Sequence, residues 1–230
     1  MWAPDGSRLV FEANRDDAVI RRGTQFLEKL SDESGDERLV FTTPDSHAVW
    51  PADWSRDGRT LLYTSQSPKG DVDLWALPLT GNRTPFPVVQ TPFIEDEGQF
   101  SPDGRWIAYQ SNKSGQDEIY VQAYPGPAGS QLVSTEGGSQ PRWRRDGAEL
   151  FYVAANNMLM VVSIGSAMEQ RLSTSKPVPL FRTRLEAGDQ PKQQYAVAPD
   201  GQRFLMNVIA EEVNVPPITI VQNWTAGLKR

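Results

Sequence analysis

The side chains with the clearest chemical potential form one acidic run, Glu95-Asp96-Glu97. Several carboxylate oxygens in one place suit a hard cation such as calcium, or a cationic ligand. However, three successive residues of an extended chain do not point the same way, and no Asp-x-Asp-x-Asp-Gly loop surrounds them. The sequence therefore predicts no metal site here. It leaves two interpretations of the run, a ligand contact and a solvated charged loop.

The chain contains few of the residue types that other catalytic sites require. His47 is the single histidine and there is no cysteine, which excludes a multi-histidine metal site, a thiolate zinc site and a cysteine nucleophile. Gly165-Ser166 lacks the flanks of a nucleophile elbow, and Gly137-Gly138 is too short for a phosphate-binding loop. We interpret His47 as a loop or strand-edge residue. The sequence predicts no catalytic residue, no cofactor and no enzyme activity within this chain.

Five aspartates are followed directly by glycine, and they recur along the whole chain. The intervals between the glycines are 52, 46, 43 and 54 residues, a period typical of repeat architectures. Because one copy occurs in each repeat, we interpret the pairs as structural turns, in which Asp accepts backbone N–H groups and Gly adopts a positive φ. The pairs are Asp5-Gly6, Asp57-Gly58, Asp103-Gly104, Asp146-Gly147 and Asp200-Gly201.

Apolar residues surround each Asp-Gly pair in a fixed pattern. An aromatic or apolar residue stands four positions before the glycine, and the positions three, four and five after it are mostly apolar. This pattern predicts a hairpin whose second strand is covered on both faces. Third strands are predicted at 73–77, 118–121 and 158–162, and weaker fourth strands at 87–89, 131–134 and 179–181. Four short antiparallel strands per repeat indicate an all-β fold, a β-propeller of four-stranded blades; a β-sandwich is the alternative.

About five blades are visible, and they place the candidate site. We divide the single domain 1–230 into blades at roughly 1–44, 45–91, 92–135, 136–190 and 191–230, with the first and last incomplete; a fragment of a larger ring is the expected origin. The loops 91–98 and 136–140 each lead into an innermost strand, so they should cluster around the ring axis. Glu95, Asp96, Glu97 and Gln140 are therefore the predicted ligand-binding residues. Charge reversal at 95–97 is expected to weaken ligand capture and to leave thermal stability unchanged.

Composition and charge limit the partners. The net charge is −6, which argues against nucleic acid as a partner, because a basic face is needed to neutralise phosphates. No apolar run approaches 18 residues, so no membrane insertion by this chain is predicted. The first residues have no basic region followed by an apolar stretch, as a signal peptide would. They begin within a repeat, and we expect that the chain was cut from a longer one.

The repeats resemble those of TolB-type propellers, which are relatives of the WD-repeat propellers. The carboxyl half, with the stretches FSPDGRWIAYQSNKSG, GGSQPRWRRDG, YAVAPDGQRF and PITIVQNWTAGLKR, resembles the propeller attached to bacterial serine/threonine protein kinases. That resemblance implies an extracytoplasmic (periplasmic) sensor or scaffold domain that binds an unidentified protein, peptide or small molecule. Kinase motifs are absent from the chain, so kinase activity is not implied for it. The alternative is an accessory propeller that gates a hydrolase of the prolyl-oligopeptidase type.

Overall fold

The computed structural model describes residues 1–13, 24–43, 47–126, 129–168, 171–185 and 193–208. Within these ranges the chain forms antiparallel β-sheets and turns, and no helix. Five sheets follow one another along the sequence, and we call them blades 1 to 5. The prediction of an all-β fold is confirmed.

The strands of each blade follow one another in space in nearly the same order as in the chain. Blade 1 contains β1 (Arg8–Ala13), β2 (Gln25–Leu30) and β3 (Arg38–Thr42). Blade 2 contains β4 (Ala48–Trp54), β5 (Thr60–Gln66), β6 (Val72–Pro78) and β7 (Phe86–Val89). Blade 3 contains β8 (Glu95–Phe100), β9 (Trp106–Ser111), β10 (Glu118–Ala123) and β11 (Gln131–Leu132).

The last two blades depart from this plan. Blade 4 contains β12 (Ser139–Trp143), β13 (Glu149–Val153), β14 (Met158–Met168), β15 (Arg171–Thr174) and β16 (Val178–Arg182). The first half of β14 pairs with β16 as the fourth strand, while its second half extends beyond the sheet and pairs with β15. Blade 5 has two strands in the described residues, β17 (Tyr195–Val197) and β18 (Phe204–Met206).

The Asp-Gly pairs make the same turn five times. Each glycine has a φ between 69° and 77°, and its N–H donates to the carbonyl oxygen three residues earlier over 2.8–2.9 Å. Each aspartate Oδ1 accepts the backbone N–H two residues later, over 2.9–3.1 Å. The positive φ explains the glycine, because side chains with a Cβ rarely adopt this conformation. The turn therefore uses both residues of the pair for geometry.

The hydrophobic core lies between the blades. The second strands of blades 2, 3 and 4 are buried on both faces, as the repeat pattern predicts, at Leu61, Leu62, Tyr63, Ile107, Ala108, Tyr109, Leu150, Phe151 and Tyr152. One apolar cluster joins each successive pair of blades. Between blades 1 and 2, for example, the rings of Phe26 and Tyr63 meet edge to face at 5.6 Å. Sheets that are apolar on both faces are stable in water only when neighbours cover them, so the blades depend on one another.

The first strand of each blade lies at the inner edge. β4 contacts β8, β8 contacts β12, and β12 contacts β17. Each of the inner strands β4, β8 and β12 contains a register shift against its hairpin partner, before Asp53, Gln99 and Arg142. At two of these shifts a residue other than glycine has a positive φ of 54°, namely Glu97 and Gln140. Such bulges redirect side chains, and here they direct polar groups toward the neighbouring blade.

Candidate ligand-binding site at the inner strands

The first row of polar residues lies seven positions before the turn glycines of blades 3, 4 and 5. Glu97 Oε2 accepts the backbone N–H of Gln140 over 2.5 Å, and Gln140 Oε1 accepts the backbone N–H of Gln194 over 2.9 Å. Gln140 also donates from Nε2 to Gln194 Oε1 over 3.1 Å, and its carbonyl oxygen accepts the hydroxyl proton of Tyr195 over 2.9 Å. The structure thus brings Glu97 and Gln140 together, and it adds Gln194, which the sequence interpretation did not name. The row connects blades 3, 4 and 5 through side chain to backbone hydrogen bonds.

A second row lies five positions before the turn glycines of blades 2, 3 and 4, on the inner strands β4, β8 and β12. Asp53 Oδ2 accepts the backbone N–H of Phe100, and Gln99 Oε1 accepts the backbone N–H of Trp143, each over 2.8 Å. These residues join blade 2 to blade 3 and blade 3 to blade 4 in the same way. The third residue of the row, Arg142, has no acceptor atom and cannot repeat the contact to blade 5.

Burial shifts the pKa values of two titratable groups at this inner edge, Asp53 and Tyr195. Burial of its carboxyl group raises the pKa of Asp53 to about 6, against the opposing effects of the N–H groups of Phe100 and Trp54 and of the Arg142 charge. Burial also raises the pKa of Tyr195 well above its ordinary value, and the Arg142 charge opposes that shift. The guanidinium carbon of Arg142 lies 5.6 Å from the centroid of the Tyr195 ring. Groups from blades 2, 4 and 5 therefore share one electrostatic environment.

The acidic run has a different position from the one expected of a solvated loop. Glu95, Asp96 and Glu97 lie in β8, and their exposed fractions are 0%, 8% and 9%. Asp96 Oδ1 accepts the hydroxyl proton of Thr64 over 2.6 Å and the N–H of Glu97 over 2.7 Å. The interpretation as a solvated loop is wrong, because the inner strand begins at Glu95 and the neighbouring blades cover it.

Glu95 is the most enclosed of the three acids. Its Oε1 accepts hydroxyl protons from Thr91 over 2.5 Å and from Ser111 over 3.2 Å, while its Oε2 has no hydrogen-bond partner in the described residues. Burial raises its pKa, and the nearby Asp73 adds to the shift, whereas the two hydroxyl donors oppose it. Within the described ranges no group of three or more His, Asp or Glu residues is arranged to hold a metal ion. Glu95 thus connects the loop before β8 with the end of β9 through Thr91 and Ser111.

Two further residues, His47 and Glu118, also contact neighbouring strands or loops. His47 directly precedes β4, and its Nδ1 lies 3.1 Å from Ser65 Oγ, at the end of the adjacent strand. Glu118 is 4% exposed at the start of β10. Its Oε1 accepts the N–H of Gly137 over 2.9 Å, and its Oε2 accepts a short hydrogen bond from Ser134 Oγ. Glu118 therefore fixes the loop that leads into blade 4.

The loop before β8 exposes an apolar pair. Phe93 is 44% exposed and Ile94 is 45% exposed, directly before the buried Glu95. The backbone is held there, because the N–H of Ile94 donates to Asn112 Oδ1 over 3.0 Å and the N–H of Phe93 donates to Thr91 Oγ1 over 3.2 Å. Apolar exposure thus lies at the loop end of the inner strands. The pair lies within the loop 91–98 that the repeats predict to cluster at the ring axis, although neither residue is among the four predicted ligand-binding residues.

Comparison with solved structures identifies the fold as a β-propeller. TolB from Acinetobacter baumannii superposes with a TM-score of 0.63 over 88% of this chain and 52% of the solved chain, at 16% identity. A puromycin-hydrolyzing peptidase of Mycobacterium tuberculosis shares the fold with a TM-score of 0.53, over 85% of this chain and 34% of the peptidase, at 16% identity. At these identities the similarity concerns the fold alone.

More particularly, the fold resembles that of TolB-type propellers, the similarity that the repeats predict. Its sequence is 30% identical over 126 residues to the Tol-Pal system protein TolB of Anaeromyxobacter dehalogenans, a stretch that covers 51% of this chain and 26% of that protein. The chain spans about half the length of the solved TolB protein. No family model matches the sequence. No helix in the described ranges is long and apolar enough to cross a bilayer.

Proposed function

We propose that this propeller is a non-catalytic binding module, which captures a protein, peptide or small-molecule ligand at the loop end of its inner strands. The observation that carries the proposal is the exposed pair Phe93 and Ile94 on a hydrogen-bonded loop. Adjacent exposed apolar side chains on a backbone held by hydrogen bonds are suited to binding contacts. Rigidity also favours binding, because less conformational entropy is lost when the partner arrives.

The four ligand-binding residues predicted from the sequence are buried, and they contribute to this surface by holding its backbone in place. Glu95 fixes the loop through Thr91, while Glu97 and Gln140 connect the inner strands of blades 3 and 4. Asp96 joins the same strand to blade 2 through Thr64. In this proposal the acids shape the surface, and the exposed loop in front of them makes the contact.

The proposed setting is an extracytoplasmic sensor or scaffold domain of a longer protein. Support comes from the TolB similarity, since TolB is a component of the Tol-Pal system, and from the carboxyl-terminal stretches that resemble kinase-attached propellers. The proposed partner class is accordingly a protein, a peptide or a small molecule, with no nucleic acid. The kinase association depends on the sequence stretches alone.

A second candidate function is an accessory propeller that gates a hydrolase. The observation that favours it is the shared fold with the mycobacterial peptidase. Neighbouring coding sequence discriminates the two: a kinase domain and membrane span upstream support the sensor, and a Gly-x-Ser-x-Gly segment downstream supports the hydrolase.

A cysteine-based cross-linking experiment tests the binding surface. The chain has no cysteine, so Phe93→Cys provides one labelling point at the loop end, and Arg105→Cys provides a matched point at the opposite, turn end. Both carry the same photoactivated cross-linker in the source organism. We expect discrete adducts from position 93 and none from position 105. Equal adducts from both positions would contradict the proposed surface.

The partner recovered in this way then allows a quantitative test. Phe93→Ser with Ile94→Ser should weaken its binding by at least about tenfold, because buried apolar anchors contribute more than about 1.4 kcal/mol. The melting temperature should stay close to that of the wild type, since both side chains are exposed. Unchanged affinity would exclude the pair as the contact.

A further inference from the structure

Arg142 interrupts a row of acceptors. At the equivalent position of blades 2 and 3, Asp53 and Gln99 each accept a backbone N–H of the next blade over 2.8 Å. A guanidinium group only donates hydrogen bonds, so blade 4 gives up this inter-blade contact at Arg142. We propose that Arg142 is an anion subsite at the inner edge, which binds the carboxylate group of a ligand.

The burial of Arg142 argues for a missing acceptor. The residue is 6% exposed, and its Nη1 donates to the carbonyl oxygen of the adjacent Pro141 over 2.6 Å. Its Nη2 is buried and has no hydrogen-bond partner among the described residues. A buried cation without a full set of acceptors costs free energy, which a bound anion would recover.

Among the described residues, the two acids nearest to this role do not fill it. Asp53 is the acid whose charge interacts with Arg142, but the two side chains form no ion pair within 4.0 Å. Its Oδ2 is already occupied by the N–H of Phe100. Glu97 faces the same tyrosine from blade 3, and its Oε2 is occupied by the N–H of Gln140. Both acids repel an anion, which favours a ligand with a single negative charge over a multiply charged one.

The surroundings of Arg142 suit a planar carboxylate. The guanidinium fork can donate two parallel hydrogen bonds to such a group, and Nη2 has both of its protons available. The ring of Tyr195 supports the guanidinium group from blade 5. Across the inner edge, the exposed Gln193 donates from Nε2 to the carbonyl oxygen of Ala52 over 2.8 Å, so blades 2 and 5 approach each other. This subsite rests on the proposed binding function, for which it specifies one chemical class of ligand.

Acetate and acetamide form the probe pair, because they have nearly the same shape and differ in charge. Tryptophan fluorescence and calorimetry of the wild-type chain, at constant ionic strength with chloride, should show saturable acetate binding with a Kd on the order of 1 mM, and no acetamide binding. Arg142→Met should abolish acetate binding, and Arg142→Lys should weaken it by about tenfold, because lysine lacks the fork. The control Arg105→Gln removes an exposed arginine and should leave binding unchanged.

A second measurement uses the wild-type protein alone, so it does not depend on whether the Arg142 variants fold. In the ¹⁵N spectrum of the wild-type protein, the side-chain resonance of Arg142 should shift with acetate at the same Kd, and with acetamide it should not. Terminal-acid and terminal-amide forms of acetyl-Ala-Ala distinguish the source of the carboxylate. Tighter binding of the peptide acid than of acetate assigns the subsite to a peptide carboxyl terminus, and equal binding assigns it to a small acid.

The result that would overturn the inference is an Arg142 resonance that responds equally to acetate, acetamide and chloride. The proposed docking surface at Phe93 and Ile94 is tested independently of the Arg142 subsite. Loss of partner binding in the Phe93 and Ile94 variant tests that surface, and the variant should still bind acetate. Acetate binding without partner capture would therefore remove the docking proposal alone, and partner capture without acetate binding would remove the subsite alone.

Discussion

Glu97 on β8 and Gln140 on β12 are joined by a hydrogen bond in which the Glu97 carboxylate accepts the backbone N–H of Gln140 over 2.5 Å. Each stands seven positions before its turn glycine, and each has a φ of 54°. Gln140 repeats the contact to Gln194 of blade 5. One bulge geometry, used twice, therefore connects three successive blades along their inner edge.

Removal of this acceptor should destabilise the protein. Glu97→Ala leaves the buried N–H of Gln140 without its acceptor, so we expect a loss of about 1–3 kcal/mol in the free energy of unfolding. Glu97→Gln retains a carbonyl acceptor and should cost less than half of that amount. Urea denaturation monitored by tryptophan fluorescence measures both. Equal stability of Glu97→Ala and wild type would mean that the contact does not join the blades.

Charge reversal in the acidic run should now affect folding. Glu95→Lys places a cation where the side chain is fully buried, and we expect a loss of about 3–5 kcal/mol. Asp117→Lys reverses an exposed acid nearby and should change stability by less than about 0.5 kcal/mol. The melting temperatures of the two variants, compared with that of the wild type, test this prediction. A Glu95→Lys protein that melts with the wild type would restore the solvated-loop interpretation.

Stability should fall as the pH rises through the range in which Asp53 ionises. Its pKa is about 6 in the folded protein, which is higher than the ordinary value of 3.8 expected in the unfolded chain. Between these two values the folded state holds a proton that the unfolded state has lost, so ionisation destabilises the fold by up to about 3 kcal/mol. The contribution of protonated Asp53 to stability is fully present below about pH 4, and this contribution is lost by about pH 7.

Asp53→Asn isolates this contribution. Asparagine keeps an oxygen for the N–H of Phe100 but does not titrate. The difference in unfolding free energy between wild type and variant should therefore change between pH 4 and 7, and level off outside this range. A difference that is independent of pH would show that the Asp53 carboxyl has an ordinary pKa.

Close approach of the blades can be tested at Gly98. A Cβ on Gly98 would lie 2.7 Å from Leu62 Cδ2 and 3.0 Å from Leu74 Cδ1, both in the core of blade 2. Gly98→Ala should cost about 1–3 kcal/mol through overpacking. At Gly126 a Cβ would meet no atom within 4 Å, so Gly126→Ala is the matched control with little expected loss. Equal melting temperatures of the two variants would place blades 2 and 3 farther apart.

The blades could be predicted from the sequence, and the reason is local. The Asp-Gly turns and the apolar positions three to five residues after each glycine are set by short-range geometry, and Leu61, Ile107 and Leu150 are fully buried as that pattern requires. The burial of Glu95 and Asp96 could not be predicted in this way. It depends on partners in other strands, such as Thr64 of blade 2 and Ser111 of β9.

Arg142 shows what a repeat alignment adds to such reasoning. In the sequence it belongs to a short basic cluster with Arg144 and Arg145, which indicates a solvated surface. Its position five residues before the turn glycine is shared with Asp53 and Gln99, and this signal was available. Only the structure shows that the first arginine is buried while Arg145 is exposed.

In the proposed site, inner strands that are far apart in sequence converge on one axis. Gln193 and Ala52 are separated by 141 residues, yet Nε2 of Gln193 lies 2.8 Å from the carbonyl oxygen of Ala52. The most direct measurement is therefore thiol cross-linking of an Ala52→Cys, Gln193→Cys variant with a short bifunctional reagent, beside an Ala52→Cys, Ser166→Cys control. Efficient intramolecular cross-linking of the first pair and none of the second is the predicted result. No cross-link between positions 52 and 193 in the folded protein would contradict the account.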